Sequence, residues 1–314
     1  MRPIRLRDFI EDREGWLYAV AAYDNDDRVG CVLRYIPDPS GDRIRPDGER
    51  FQKVTFEVAY RRIAEEKPAY AGPVHRVPIS DVRRVYKPEE QFGALCRRDQ
   101  RVNEISDVLA LAPGTAGCTG SLLCGLATAG SDIDLVVYGD AWFTARDALM
   151  RAIQRGAIRG ISEDLWKKIY EKRLPDLTFE EFVLHERRKW NRGEIWGTYF
   201  DLLYTRAYDE PGAASPEKGV VKGNLRIEAE VTDATLAFDY PAQYLVCHDT
   251  ISRVLCFTHT YSGQALTGEI IEAAGVCERH GDEDWLIVGT SREPRGEYIR
   301  SLTLLEGETS TQSE

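Results

Sequence analysis

No run of apolar residues in this chain approaches the roughly 18 that a membrane-spanning helix needs, which excludes an integral helical membrane protein. The opening residues, MRPIRLRDFI, carry basic side chains but no apolar stretch followed by small residues, so no secretion signal is expected and the chain reads as cytoplasmic. Positive charge is also short: 41 Lys and Arg stand against 52 Asp and Glu, for a net charge of −11. A protein that gripped nucleic acid by general electrostatics would be basic, so any such role requires a local patch or a brief encounter. Lysine itself is scarce, nine residues against 32 arginines. Seven cysteines at irregular spacing, an odd number, exclude a complete disulfide framework and read as free thiols. Internal repeats are absent, and low complexity is confined to the polar tail, residues 307–314.

What is present is ordinary for globular folding. The 314 residues include 43% hydrophobic and 30% charged side chains, enough for two or three domains with their own cores. Residues 16–23 and 29–36 flank the turn-rich Asp24-Asn25-Asp26-Asp27 and predict a β-hairpin. With the strand or helix pattern at 51–63 they predict an N-terminal α+β region over residues 1–88. Residues 88–112 read as helical, with Pro88 suited to a first turn. Strand and helix then alternate: a short strand at 115–119, a buried strand at 133–138, helices at 141–155, 162–172 and 179–190, and a strand at 196–204. This stretch, 89–208, predicts a mixed sheet with helices. A Gly, Pro, Ala and Ser-rich linker at 209–222 precedes short β-rich runs. Residues 222–307 therefore predict a small all-β barrel or sandwich, with an OB-like surface in which Arg292 and Arg295 could face a single strand.

The chemistry concentrates at Cys118-Thr-Gly-Ser-Leu-Leu-Cys-Gly and, after a short loop, Ser131-Asp-Ile-Asp-Leu-Val-Val-Tyr138. Gly120-Ser121 sits between a strand and a predicted helix that Ser121 could N-cap. There a glycine lets the backbone approach a triphosphate, and unpaired N–H groups favour an anion. Asp132 and Asp134 are two apart in a strand, so both face one side while Ile133 points inward. Two carboxylates on one rigid face can hold a pair of Mg²⁺ ions about 4 Å apart for in-line phosphoryl displacement. Aspartate is a poor strand former, so two within Asp-Ile-Asp-Leu-Val-Val call for a reason beyond a glycine turn and a chance strand.

Gly120-Ser121, Gly125 and Ser131-Asp-Ile-Asp-Leu resemble the signature of the nucleotidyltransferase (DNA polymerase β) superfamily, and the short spacing is similar to that of its minimal members. The whole chain also resembles archaeal predicted nucleotidyltransferases. The resemblance implies transfer of a nucleoside monophosphate from an NTP to an acceptor hydroxyl, with release of pyrophosphate and with Mg²⁺ (two ions, or Mn²⁺) as cofactor. Asp132 and Asp134 would be metal ligands and catalytic, and Gly120, Ser121 and Ser131 would lie in the nucleotide site. The family's third carboxylate lies on a neighbouring strand, where Asp201 in Tyr199-Phe-Asp-Leu-Leu-Tyr204 is the best match; the alternative for Asp201 is a structural pair with an arginine such as Arg206. The expected acceptor is RNA, with a protein side chain or a small hydroxylated molecule as alternatives. A non-catalytic adaptor that binds RNA or protein is the rival from another class.

The run Arg187-Arg188-Lys189-Trp190-Asn191-Arg192 precedes the Asp201 strand. Arg188 and Lys189 could meet the triphosphate or an RNA backbone, or simply oppose a helix dipole. Cys256-x2-His259 and Cys277-x2-His280 have the spacing of a zinc ribbon. Residues three apart in a strand face opposite sides, however, which argues against the first pair as ligands.

Overall fold

Alternating apolar residues in the first ninety positions build an antiparallel sheet, described here from a computed structural model that covers residues 2–210, 218–291 and 295–311. Phe9–Asp12, Leu17–Val20 and Arg28–Pro37 form its centre. Val82–Tyr86 extends it on one side, and Arg50–Lys53 with Arg43–Ile44 on the other, while His75–Pro78 pairs the start of Arg28–Pro37. The hairpin expected at 16–36 is present. The ambiguous stretch at 51–63 resolves into the strand Arg50–Lys53 and the helix Phe56–Glu66. Thr55 caps that helix through its side chain, and Ala59 and Ile63 bury its inner face beside Tyr18, Leu33 and Val77.

Helices Pro88–Arg98 and Gln100–Val108 lead into a second, four-stranded sheet. Its order is Arg192–Ile195, Thr198–Thr205, Ile133–Tyr138, Ala116–Cys118, and only the central pair is parallel. Ile133–Tyr138 is almost wholly buried, as a continuous apolar run in a parallel pair should be. Helix Asp140–Gln154 follows it and buries Trp142, Ala145, Leu149 and Ala152 at helical spacing. Gly117 has no room for a side chain, since a Cβ would lie 2.2 Å from the Pro88 carbonyl carbon; the helix beginning at Pro88 thereby packs directly on the short strand.

Met1–Gly160 and Asn191–Ser215 form one compact unit, and Ile161–Trp190 with Pro216–Glu314 a second. This differs from the expected division at 1–88, 89–208 and 222–307. Helices Glu163–Arg173 and Phe179–Lys189 join the C-terminal strands because their apolar faces bury there: Trp166, Phe182 and Val183 share one core with Val231, Tyr244, Val254, Ile271 and Leu286. The expectation of an all-β barrel or sandwich is corrected accordingly, to a mixed α+β unit. Its strands run in the order Val220–Asp233, Ala242–Cys247, Ile251–Cys256, Glu283–Val288, Ile270–His280, Tyr298–Ser301, with a further pairing between Val220–Asp233 and Ile270–His280. Helix Leu302–Thr311 extends into what the composition reads as a polar tail. Arg292 and residues 211–217 of the expected linker lie outside the described residues. Among the described residues no helix is long and apolar enough to cross a membrane.

Candidate active site

Parallel pairing of Thr198–Thr205 with Ile133–Tyr138 sets Asp201 directly opposite Asp134, on strands that lie about 4.8 Å apart. Asp132 precedes Asp134 by two positions and is exposed, and the Ile133 between them is fully buried. Phe200 and Leu202, on either side of Asp201, are likewise buried. Alternation along both strands thus brings the three carboxylates to one face. Burial raises Asp134 from the ordinary carboxylate range to about 6, and the charges of Asp201 and then Asp132 push in the same direction, opposed by Arg7 and Arg34. Three acids therefore act on one another within one small region.

Arg192 stands opposite Asp201 on the other side, in the antiparallel hairpin Arg192–Ile195 with Thr198–Thr205. Its Nε donates to Asp201 Oδ1 at 2.6 Å, and the residue is buried. The arginine beside Asp201 is thus Arg192 and not Arg206. The Arg206 guanidinium lies over the Tyr23 ring at 4.4 Å, and its backbone N–H donates to the Tyr23 hydroxyl.

The Gly-Ser turn reaches the same carboxylates. Thr119 N–H donates to the Asp134 carbonyl at 2.9 Å. Gly120 follows at φ +66°, and a Cβ there would sit 2.8 Å from Asp134 Oδ2. Glycine is required twice over, by the left-handed backbone and by the close approach. The helix begins at Gly120 and runs only to Leu123, so Ser121 is its second residue and not its cap, contrary to the expectation. Thr119 occupies the cap position, and its hydroxyl donates to the Arg7 carbonyl at 2.6 Å instead of capping. Leu122 and Leu123 point into the core, while Ser121 is half-buried.

The other expected residues are differently employed. Ser131 closes the turn that starts at Thr128, its Oγ accepting from Thr128 N–H at 2.9 Å. Arg188 pairs with Glu269 at 2.5 Å and donates to the Gln264 carbonyl. Lys189 is buried, bonded to Glu186 at 2.5 Å and to the Thr260 carbonyl at 2.8 Å. Both cations hold together the unit formed by Ile161–Trp190 and the C-terminal strands, which gives each a structural role in place of the expected contact with phosphate. Cys256 donates its thiol to the Thr258 carbonyl, and His280 stacks on Trp285 at 3.9 Å.

Among the described residues no group of three or more His, Cys, Asp or Glu side chains is already gathered as a metal site. The chemistry of the Asp132, Asp134 and Asp201 donor set nevertheless suits a hard divalent cation, which takes carboxylate oxygens and would relieve the mutual repulsion at Asp134. The residues that sequence reasoning missed here are Arg7, Arg34 and Thr119, and Arg192 was visible only as one member of a basic run. Nothing local announces Arg7, because it meets the Gly-Ser turn only through a contact more than a hundred residues apart.

Comparison with known proteins adds two matches. The nucleotidyltransferase domain family matches residues 102–191, a stretch that contains the Gly-Ser turn and the first two aspartates and ends before Asp201. The uncharacterized protein MJ1086 of Methanocaldococcus jannaschii is 36% identical over 335 residues, covering 95% of this chain and 98% of that protein. No solved structure matches the chain.

Proposed function

Because this chain belongs to one family with MJ1086 and carries a nucleotidyltransferase domain of the polymerase-β superfamily, we propose that it transfers a nucleoside monophosphate from an NTP to an acceptor hydroxyl, releasing pyrophosphate. The observation that carries this reading is the register of Asp134 with Asp201, with Asp132 on the same face and Gly120 against the Asp134 carboxylate. Asp132, Asp134 and Asp201 would hold Mg²⁺, which when bound neutralises the triphosphate and lowers the pKa of the acceptor hydroxyl. Gly120 and Ser121 line the β- and γ-phosphates, so the leaving pyrophosphate is held where the backbone can come closest. Arg192 fixes the orientation of Asp201 through its short hydrogen bond, a positioning role. Catalysis of this kind rests mainly on placement and charge neutralisation. For the acceptor we propose an RNA hydroxyl.

One observation favours a second reading, a non-catalytic adaptor: Asp201 is already paired with a buried arginine. The experiment that separates the two supplies each NTP, labelled at the α-phosphate, with Mg²⁺ and cellular RNA, and follows both pyrophosphate and label. Label entering RNA, abolished by EDTA, supports transfer to RNA. Label entering protein or a small molecule keeps the transfer and reassigns the acceptor. No pyrophosphate with any NTP and any acceptor favours the adaptor.

A further inference from the structure

Arg7 holds a backbone conformation that its side chain disfavours. Its φ is +76°, in the left-handed region where non-glycine residues are uncommon. Four other non-glycine residues share this feature among the described residues. Leu174 and Trp190 end helices, Trp196 turns the hairpin beside Gly197, and Ala110 follows a helix end. Arg7 alone is joined to the candidate site.

The turn around Arg7 is also held with unusual firmness. Arg5 N–H donates to Asp8 Oδ2 at 2.9 Å, Asp8 N–H returns to the Arg5 carbonyl, and Arg7 N–H donates to the Val20 carbonyl at 3.0 Å. Asp8 is paired with Lys87 at 2.5 Å, with side-chain exposures of 1% and 4%. A buried ion pair is a poor source of net stability, because two desolvated charges offset most of their attraction. Here it locks the turn that presents Arg7. From that turn the Arg7 carbonyl takes the Thr119 hydroxyl, and Thr119 in turn is bonded to Asp134 and adjoins Gly120. Backbone strain and a buried ion pair thus converge on one half-buried arginine beside the Gly-Ser turn.

We propose that Arg7 is a phosphate-binding residue, its guanidinium taking the terminal phosphates of the triphosphate that Gly120 and Ser121 line. The proposal rests on the nucleotidyl-transfer reading above. It also supplies the cation that Arg188 and Lys189, bonded elsewhere, do not. The Arg7 charge already acts on Asp134, together with that of Arg34. A planar guanidinium suits the fork of oxygens on a phosphate.

The test uses Arg7→Gly in the full chain, with inorganic tripolyphosphate and Mg²⁺ as the probe, followed by calorimetry and by thermal melting. Glycine accepts the left-handed backbone, so a merely structural arginine would be replaced without loss of binding. The expected result is binding about ten- to a hundredfold weaker, with a melting temperature equal to or above that of the unaltered protein. Wild-type affinity overturns the inference. Should Arg7→Gly melt early, Arg7→Gln decides instead: its affinity is expected to fall similarly, and wild-type affinity again overturns the inference. If the unaltered protein binds neither tripolyphosphate nor any of the four NTPs, the nucleotidyl-transfer reading itself fails. That result is distinguishable, because wild-type and variant titrations would then be equally flat.

Discussion

At the end of helix Phe179–Lys189, Arg188 is bonded to Glu269 and Lys189 to Glu186, whereas on the parallel strand pair Asp134 faces the charges of Asp201 and Asp132. In the sequence the two places look alike, each a short run of one sign of charge among apolar residues. In the fold they are opposites. The basic run is compensated residue by residue, and its charges serve packing. The acidic group gathers like charges on one face, an arrangement that costs stability and therefore marks the place where chemistry is expected.

The comparison breaks first if the aspartates turn out to be dispensable. Asp134→Asn should lower turnover on the order of a thousandfold, roughly 4 kcal/mol in barrier. The same change should leave the melting temperature unchanged or raised, since it removes a carboxylate that burial and two like charges disfavour. Steady-state pyrophosphate release and a thermal melt on one preparation test both halves. Lys189→Met should behave in the reverse way. Removing one partner from a buried pair leaves Glu186 under-compensated and should cost about 3 kcal/mol of stability, read as the urea midpoint. Affinity for Mg²⁺-NTP should stay as it was; a fall in affinity without a fall in stability would return Lys189 to the nucleotide site.

A smaller effect separates the two units by pH. His185 is fully buried, its Nδ1 meeting the Glu181 carbonyl at 2.7 Å and its Nε2 accepting from Ser301 N–H at 2.9 Å. Both bonds require the neutral ring, and burial holds its pKa down at about 4. The unfolded chain therefore takes up the proton first as pH falls. Stability from this site is whole above about pH 6.5, drops by about 1 kcal/mol near pH 5.5 and continues to fall toward pH 4. In the other unit His75, also lowered to about 4 by burial, acts in the same direction, but Asp8 opposes it. Burial raises Asp8 to about 6, so its contribution declines as pH rises across the same range. Hydrogen exchange at pH 7 and 5 should show the unit containing His185 loosening more on acidification. Equal loosening of both would remove the distinction.

How legible this was depended on whether neighbours in sequence decided the outcome. The buried strand at 133–138 occupies the residues expected from its unbroken apolar run, and the adjacent strand places Asp201 beside Asp134 as its alternation suggested. Signals that a local reading discounts went astray. Trp196-Gly197 is a left-handed turn and not a strand start, which hid the preceding strand Arg192–Ile195 and with it the partner of Asp201. Left-handed Trp190 ends its helix and divides the basic run, sending Lys189 and Arg192 to different units. Helices Glu163–Arg173 and Phe179–Lys189 read correctly as amphipathic, but which core their apolar faces enter is a long-range matter that periodicity does not encode.

The claim most exposed to test is that Asp201 completes the acidic site although Arg192 already holds it. Asp201→Asn keeps the shape and removes the charge, and pyrophosphate release with Mg²⁺, NTP and acceptor RNA reads its effect directly. The account predicts turnover nearly abolished, with the fold and most NTP binding intact. Near-normal turnover would contradict it, leaving Asp201 a structural partner of Arg192 and moving the third carboxylate elsewhere.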